Sequence, residues 1–163
     1  CGLGSRSPSN SNYGDPANRT DVDTLGNRTG IASIMLIICA VLSGTPCSTE
    51  HPIRSKLWGW PPMLKLLDTG LFNLHSLDQC AYGLRPSDLP TCRYRKQTRL
   101  LTFSPGNLKT YSGRTCDGNR THVKIEGGFK PPGGGKNISR SQDSGAYPRA
   151  FAMSIARFHA GHQ

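Results

Sequence analysis

Between Glu50 and His122 the chain sets short polar signatures at the ends of apolar runs: Glu50-His51-Pro52, Ser55-Lys56-Leu57-Trp58, Asp78-Gln79-Cys80-Ala81-Tyr82-Gly83, Lys96-Gln97-Thr98, Cys116 and His122. Strand ends are where α/β folds place ligand-contacting groups, so chemistry is expected here. Glu50 offers a hydrogen-bonding carboxylate, or else a side chain favoured near the start of a helical segment by the helix dipole. Cys47 follows Pro46 and lies three residues before Glu50; as a thiolate it would be a nucleophile. Arg93, Arg95, Lys96 and Arg99, with Thr98 among them, form a basic cluster flanking a strand. Such a cluster either contacts phosphates or protects an exposed sheet edge. Tyr82 and Trp58 are candidates for stacking on bases or for anchoring a core. Cys80, Cys92, Cys116 and His122 have ligand chemistry suited to zinc, but their spacing is irregular and no C-x-x-C pair is present. No metal is therefore assigned, and buried free thiols are expected.

The elements that must position these residues are drawn from a chain of limited packing capacity. The length of 163 residues suits one domain, yet only 35% of residues are hydrophobic and there are 19 glycines and 12 prolines. A small folded centre with loose ends is expected. The formal net charge of +10 is confined to the second half: residues 1–84 hold six basic and six acidic residues, residues 85–163 fourteen and four. A block of that sign attracts phosphate backbones by counterion release, which makes DNA or another nucleic acid the natural partner, against a merely solvated basic surface. Six scattered cysteines do not form a disulfide scaffold in a chain of this length. An intracellular setting is expected despite Asn-x-Ser/Thr triplets at Asn18, Asn27, Asn119 and Asn137.

Residues 1–30 read as a disordered leader, and the start at Cys1 as that of a fragment or processed piece. The apolar run Ile31 to Leu42 is short of the ~20 residues a membrane span needs, and its β-branched content fits a buried strand. Pro61-Pro62 opens a short helix that stops at Thr69-Gly70, and Leu71 to Leu77 is a strand delivering Asp78-Gln79-Cys80. Strand, helix, strand is the order of a parallel α/β unit. Thr98 to Phe103 is a third strand and His122 to Glu126 a fourth at an edge. The expected organisation is a partial α/β domain over 31–128, a Gly/Pro-rich linker over 129–145, and a C-terminal helix over 146–163 with Phe151, Ile155 and Phe158 on one face.

In order, these signatures resemble the later half of a cytosine-C5-type DNA methyltransferase domain of the divergent kind found in phage genomes and retroelement polyproteins. The resemblance spans about 110 residues and rests on Glu50-His51-Pro52 with Ser55 to Trp58, Asp78 to Gly83, Lys96-Gln97-Thr98 with Leu100-Leu101-Thr102, then Cys116, His122, and Tyr147-Pro148 with Phe151. It implies a partial Rossmann-like sheet in which Glu50 matches the glutamate gripping a flipped cytosine. It also implies that Arg93, Arg95, Lys96, Thr98, Arg99 and Tyr82 lie near DNA; the family's attacking thiol lies in a Pro-Cys loop well ahead of the glutamate, and Cys47, in Pro46-Cys47 only three residues before Glu50, is the candidate or a look-alike of it. S-adenosylmethionine would be the cofactor once a missing N-terminal part is supplied; the chain alone is expected to bind none and to be inactive. His51 stands where the family has Asn, Gln97 where it has Pro, and Phe103 where it has Asn, and Cys1-Gly2-Leu3-Gly4 has no strand before it. The alternative is a non-catalytic basic nucleic-acid-binding segment or mobile-element remnant. Neither reading involves a membrane, and the oligomeric state stays open.

Overall fold

The computed structural model describes residues 21–107, 111–131 and 133–161. Its elements in chain order are α1 (Asp21–Leu42), β1 (Cys47–Pro52), α2 (Pro61–Asp68), β2 (Asn73–Asp78), β3 (Arg93–Tyr94), β4 (Gln97–Phe103), β5 (His122–Val123), β6 (Gly128–Phe129), β7 (Ile138–Ser139), α3 (Arg140–Asp143) and α4 (Arg149–Ala160). The fold is thus mixed helix and strand. Of the expected leader, residues 1–20 lie outside the described residues and the rest begins α1.

Three strands form the main sheet, in the order β1-β4-β2. Both outer strands pair antiparallel with β4, with Glu50 opposite Leu100 and Leu77 opposite Thr98. β1 and β2 therefore point the same way, joined across the sheet by the segment containing α2, but β4 lies between them. The expected parallel strand-helix-strand unit is not formed: its first strand, Ile31 to Leu42, is part of α1, the strand before α2 is β1, and β1 and β2 each pair antiparallel with β4 instead of with each other. Every backbone group of β4 can be satisfied from both sides, which suits a strand whose residues from Leu100 to Phe103 are all buried.

Alternation along the strands divides side chains between two faces. Leu101 joins Ile34, Ile37, Leu57, Trp58 and Met63 beneath α1 and α2. Leu100 and Leu77 join Tyr82, Tyr111, Phe151 and Phe158 beneath α4. α2 forms because Pro61 and Pro62 occupy its first turn, where their missing N–H groups are no loss, and it ends before Gly70 at a φ of 69°. α4 buries Phe151 and Phe158 one face apart, as its spacing predicts, with Ile155 packed beside them.

The run Ile31 to Leu42 is a helix, not the expected strand. It continues a helix that starts ten residues earlier, and periodicity alone does not separate a short buried strand from a helix segment. Among the described residues of α1, Ile34 and Ile37 are the buried ones, and Gly30 leaves room for the Trp60 ring, which would sit 3.1 Å from an added Cβ. Leu25, Ile31, Met35, Leu36 and Leu42 are exposed. By length and composition, the 19 residues Thr24–Leu42, mean hydropathy 1.7, are enough to cross a membrane.

The segment expected as a linker carries the β6–β7 pair and α3, and it is tied to the body. Ser139 caps α3 by accepting from the Gln142 N–H. Asp143 accepts from the Ser87 N–H at 3.0 Å, from the Ser87 hydroxyl, and from Tyr94 at 2.7 Å. Arg140 forms a bidentate pair with Asp88 at 2.8 and 3.0 Å. Burial would raise the Asp143 pKa, but the hydrogen bonds from Ser87 and Tyr94 and the nearby Arg140 charge hold it below the usual carboxylate range.

Candidate functional site

β1 and β2 end, and β4 begins, at one edge of the sheet, and two polar clusters form there around the short 3₁₀ turn Gln79–Tyr82. The turn closes at Gly83, whose φ of 95° is the left-handed conformation only glycine adopts freely. Its first residue, Gln79, belongs to one cluster and its second, Cys80, to the other.

The first cluster centres on Glu50. The fully buried Gln79 donates through Nε2 to Glu50 Oε1 at 3.3 Å and to Thr98 Oγ1 at 3.0 Å, while its backbone N–H bonds the Lys96 carbonyl at 2.9 Å. Tyr147 donates its hydroxyl to Glu50 Oε2 at 2.5 Å. Burial and the adjacent carboxylate push the Tyr147 phenol well above its ordinary pKa, so it acts as a donor. Glu50 is fixed by one donor on each oxygen, and the second lone pair of each stays available for a ligand. Gln79 Oε1 is buried without a protein partner. Outside this carboxylate opens a cleft of about 1070 Å³, bordered by Arg54, Arg95, Lys96 and Lys124 against Glu50 and Glu126. Lys96 donates to the Ser144 carbonyl at 3.0 Å and stands 5.9 Å from the centre of the Tyr147 ring.

The other residues singled out from sequence distribute unevenly. Arg95, Lys96 and Thr98 lie with Glu50. Arg99 pairs with His51 and Ser76, which places it on the opposite face of the sheet from Glu50. Arg93 lies on β3, and its Nε is buried without a partner. Tyr82 is not a stacking platform: its ring is buried against Phe151 at 5.1 Å, and its hydroxyl bonds Tyr111 at 3.0 Å and accepts from the Arg114 N–H at 2.9 Å. Trp58 is a core anchor whose indole N–H reaches the Pro52 carbonyl at 2.9 Å.

Cys47 is not brought to Glu50. It starts β1 opposite Phe103, an odd number of residues from Glu50, so its side chain takes the other face and packs against the α1–α2 core. Ser48, on the Glu50 face, instead bonds His159 of α4 at 3.0 Å. Burial raises the Cys47 thiol pKa, which lowers its thiolate fraction. Cys1-Gly2-Leu3-Gly4 lies outside the described residues.

The second cluster joins Cys80, Cys116 and His122, whose ligand atoms all lie within 4.8 Å of one another. Cys116 Sγ is 3.4 Å from His122 Nε2, and the Cys116 backbone N–H bonds Asp78 Oδ2 at 2.9 Å. Burial, with a hydrogen bond to Cys116, pushes the Cys80 thiol up to about 12. Cys92 is not within this group. The fold thus assembles three of the four residues whose spacing gave no metal signature.

Sequence reasoning gave no role to Gln79, Tyr147, Arg54 or Lys124. Tyr147 precedes a proline-led helix and Gln79 follows a strand, but nothing local relates either to Glu50. Comparison of the chain with protein-family models, with curated proteins and with solved structures gives no match.

Proposed function

We propose that the cleft at the carboxyl ends of β1 and β2 binds nucleic acid, as the base-gripping edge of a cytosine-methyltransferase-like domain. The observation that carries this reading is the Glu50 carboxylate, held by Gln79 and Tyr147 at a strand end and facing a cleft bordered by four cations. A cytosine acted on by an enzyme must leave the base stack, and its exocyclic amine then needs an acceptor. A preoriented carboxylate supplies one, while Arg54, Arg95, Lys96 and Lys124 suit the flanking phosphates. β1 and β2 run in the same direction and are connected through α2, as neighbouring strands of such a domain would be, but here both pair antiparallel with β4.

In this reading S-adenosylmethionine would be the methyl donor of the intact domain, and no described residue is assigned to it. The 163 residues alone are not expected to methylate DNA, because Cys47 lies across the sheet from Glu50. The test is binding of an oligonucleotide duplex with one unpaired cytosine, compared with a fully paired duplex across a salt series. Glu50→Gln replaces an acceptor oxygen with a donor. It should cost about 1–3 kcal/mol, or roughly 5- to 150-fold, on the unpaired cytosine, and leave the salt dependence unchanged. Equal affinity of wild type and Glu50→Gln for both duplexes would favour the second reading, a non-catalytic basic binding segment. That reading gains from the two internal hydrogen bonds Glu50 already accepts. Calorimetric binding of S-adenosylmethionine would favour the methyltransferase reading.

A further inference from the structure

We propose that Cys80, Cys116 and His122 form a zinc site. The three residues come from separate parts of the chain: the 3₁₀ turn after β2, the stretch before β5, and β5 itself. Their ligand atoms nevertheless lie within 4.8 Å of one another. Tetrahedral zinc with a thiolate at about 2.3 Å and an imidazole nitrogen at about 2.0–2.1 Å holds the two donors about 3.5–3.6 Å apart. The Cys116 Sγ to His122 Nε2 separation is 3.4 Å, within a few tenths of an ångström of that span, and Cys80 Sγ, within 4.8 Å of both, reaches the ion by moving in by about 1 Å at most.

The surroundings hold Cys116 in place as a ligand. The Asp78 carboxylate fixes the backbone at Cys116 through its N–H at 2.9 Å, and the Gly118 N–H donates to Cys116 Sγ at 3.4 Å. A neighbouring cavity of about 420 Å³ is lined by Cys80, Gly113, Arg114, Cys116 and Arg120, leaving the fourth coordination position to water. Two thiolates and a neutral imidazole balance the charge of Zn²⁺. The purpose of the ion follows from where its ligands lie. Residues 111–121 have no regular secondary structure, and zinc would fasten them to the end of β2 and to β5.

The step is Zn²⁺ plus two thiols and one imidazole giving the complex and two protons; nothing is oxidised or reduced. The full chain, purified under reducing conditions and dialysed against Zn²⁺, should hold one equivalent by elemental analysis. It should also release about two protons per zinc in weak buffer at a pH where both thiols start protonated. Substituting Co²⁺ should give thiolate-to-metal charge-transfer absorption. Cys116→Ser and His122→Ala should each weaken zinc binding by about a hundredfold or more, with Cys39→Ser and Cys92→Ser unchanged. Wild-type protein that retains less than half an equivalent overturns the proposal, whatever the folding of the variants. So does cobalt binding without charge-transfer absorption, or a loss in Cys39→Ser or Cys92→Ser as large as in Cys116→Ser.

Discussion

Gln79 and Cys80 are neighbours in one turn, yet they serve clusters of different construction. The Glu50 cluster is built on the sheet: Glu50, Thr98 and Gln79 stand at strand ends, and the β1–β4–β2 register alone brings them together. The Cys80 cluster reaches into residues 111–121, which form no helix or strand and are tied to the body by a few hydrogen bonds, among them Asp78 N–H to the Arg114 carbonyl at 2.9 Å. The donors differ as well. One cluster is oxygen and nitrogen beside four cations, suited to an anionic polar ligand; the other is sulfur and imidazole, suited to a soft metal. A shared scaffold therefore does not imply a shared ligand. The sheet preorganises the first cluster, whereas the second gains order from whatever it binds.

The largest effect should come from removing what both clusters share. Phe151 is fully buried under the turn, 5.1 Å from the Tyr82 ring and 5.4 Å from the Tyr147 ring. Phe151→Ala should cost about 3–5 kcal/mol in denaturant unfolding and weaken both clusters together. A substitution that left one intact would show that they do not depend on the same packing.

Gln79→Glu breaks the first cluster selectively. It puts a second carboxylate at the position from which Gln79 now donates to Glu50 at 3.3 Å, where solvent does not reach. The two carboxylates cannot both ionise there cheaply, so the folded-state pKa of the pair rises above the unfolded value of about 4.3. The folded protein then binds more protons than the unfolded one, so stability is lost as pH rises and recovered as it falls. The expected cost at neutral pH is about 3 kcal/mol, shrinking toward pH 5, with zinc binding at the Cys80 cluster less affected. Unfolding curves at both pH values measure it.

The contrast between the clusters also accounts for what could be read from the chain. The α2 boundaries, β2, β4 and the buried face of α4 follow from local signals: Pro61-Pro62, Gly70, and the spacing of Phe151, Ile155 and Phe158. Glu50 could be singled out by its residue type, but β1, the strand that carries it, was not expected. The insertion of β4 between β1 and β2 was not, because antiparallel pairing between residues some fifty positions apart leaves no mark on local spacing. For the same reason the contacts of Gln79 and Tyr147 with Glu50, and the docking of Asp143 on Ser87 and Tyr94, could not be read from the chain. The Ile31 to Leu42 run misled because β-branched residues suit strands, yet a helix begun over the polar residues before it carries through. Cys80, Cys116 and His122 come together only through the fold.

The cations of the cleft separate the two clusters by their salt dependence. Replacing Lys96 and Lys124 with Gln should reduce the slope of log affinity against log salt by about 0.9 for each phosphate no longer neutralised on duplex DNA, about 0.7 on a single strand. Lys65→Gln, on the exposed side of α2, should leave the slope unchanged. A slope unaltered by the double change would remove phosphate binding from this cleft, without touching the metal site.

The smallest effect concerns His75, which joins the sheet to the segment carrying Cys116. Its Nε2 lies 3.0 Å from Thr102 Oγ1, and its ring meets Tyr111 edge-on at 5.6 Å. Burial lowers its pKa, so the fold favours the neutral ring. The unfolded chain takes up a proton near pH 6.5 and the folded protein only at lower pH. The stability owed to neutral His75 is complete above about pH 6.5 and is lost as pH falls from there toward the folded-state value. Thermal unfolding from pH 7.5 to 5 should therefore show a decline that His75→Gln makes shallower. The remaining slope belongs partly to His51, whose pKa burial also lowers despite the opposing Glu50 charge. Hydrogen exchange should place the early opening in residues 111–121 rather than in β4, since Tyr111 has to withdraw for water to reach the charged ring, whereas backbone hydrogen bonds hold the strand register. Equal loss of protection in both would mean that the two regions open as one unit.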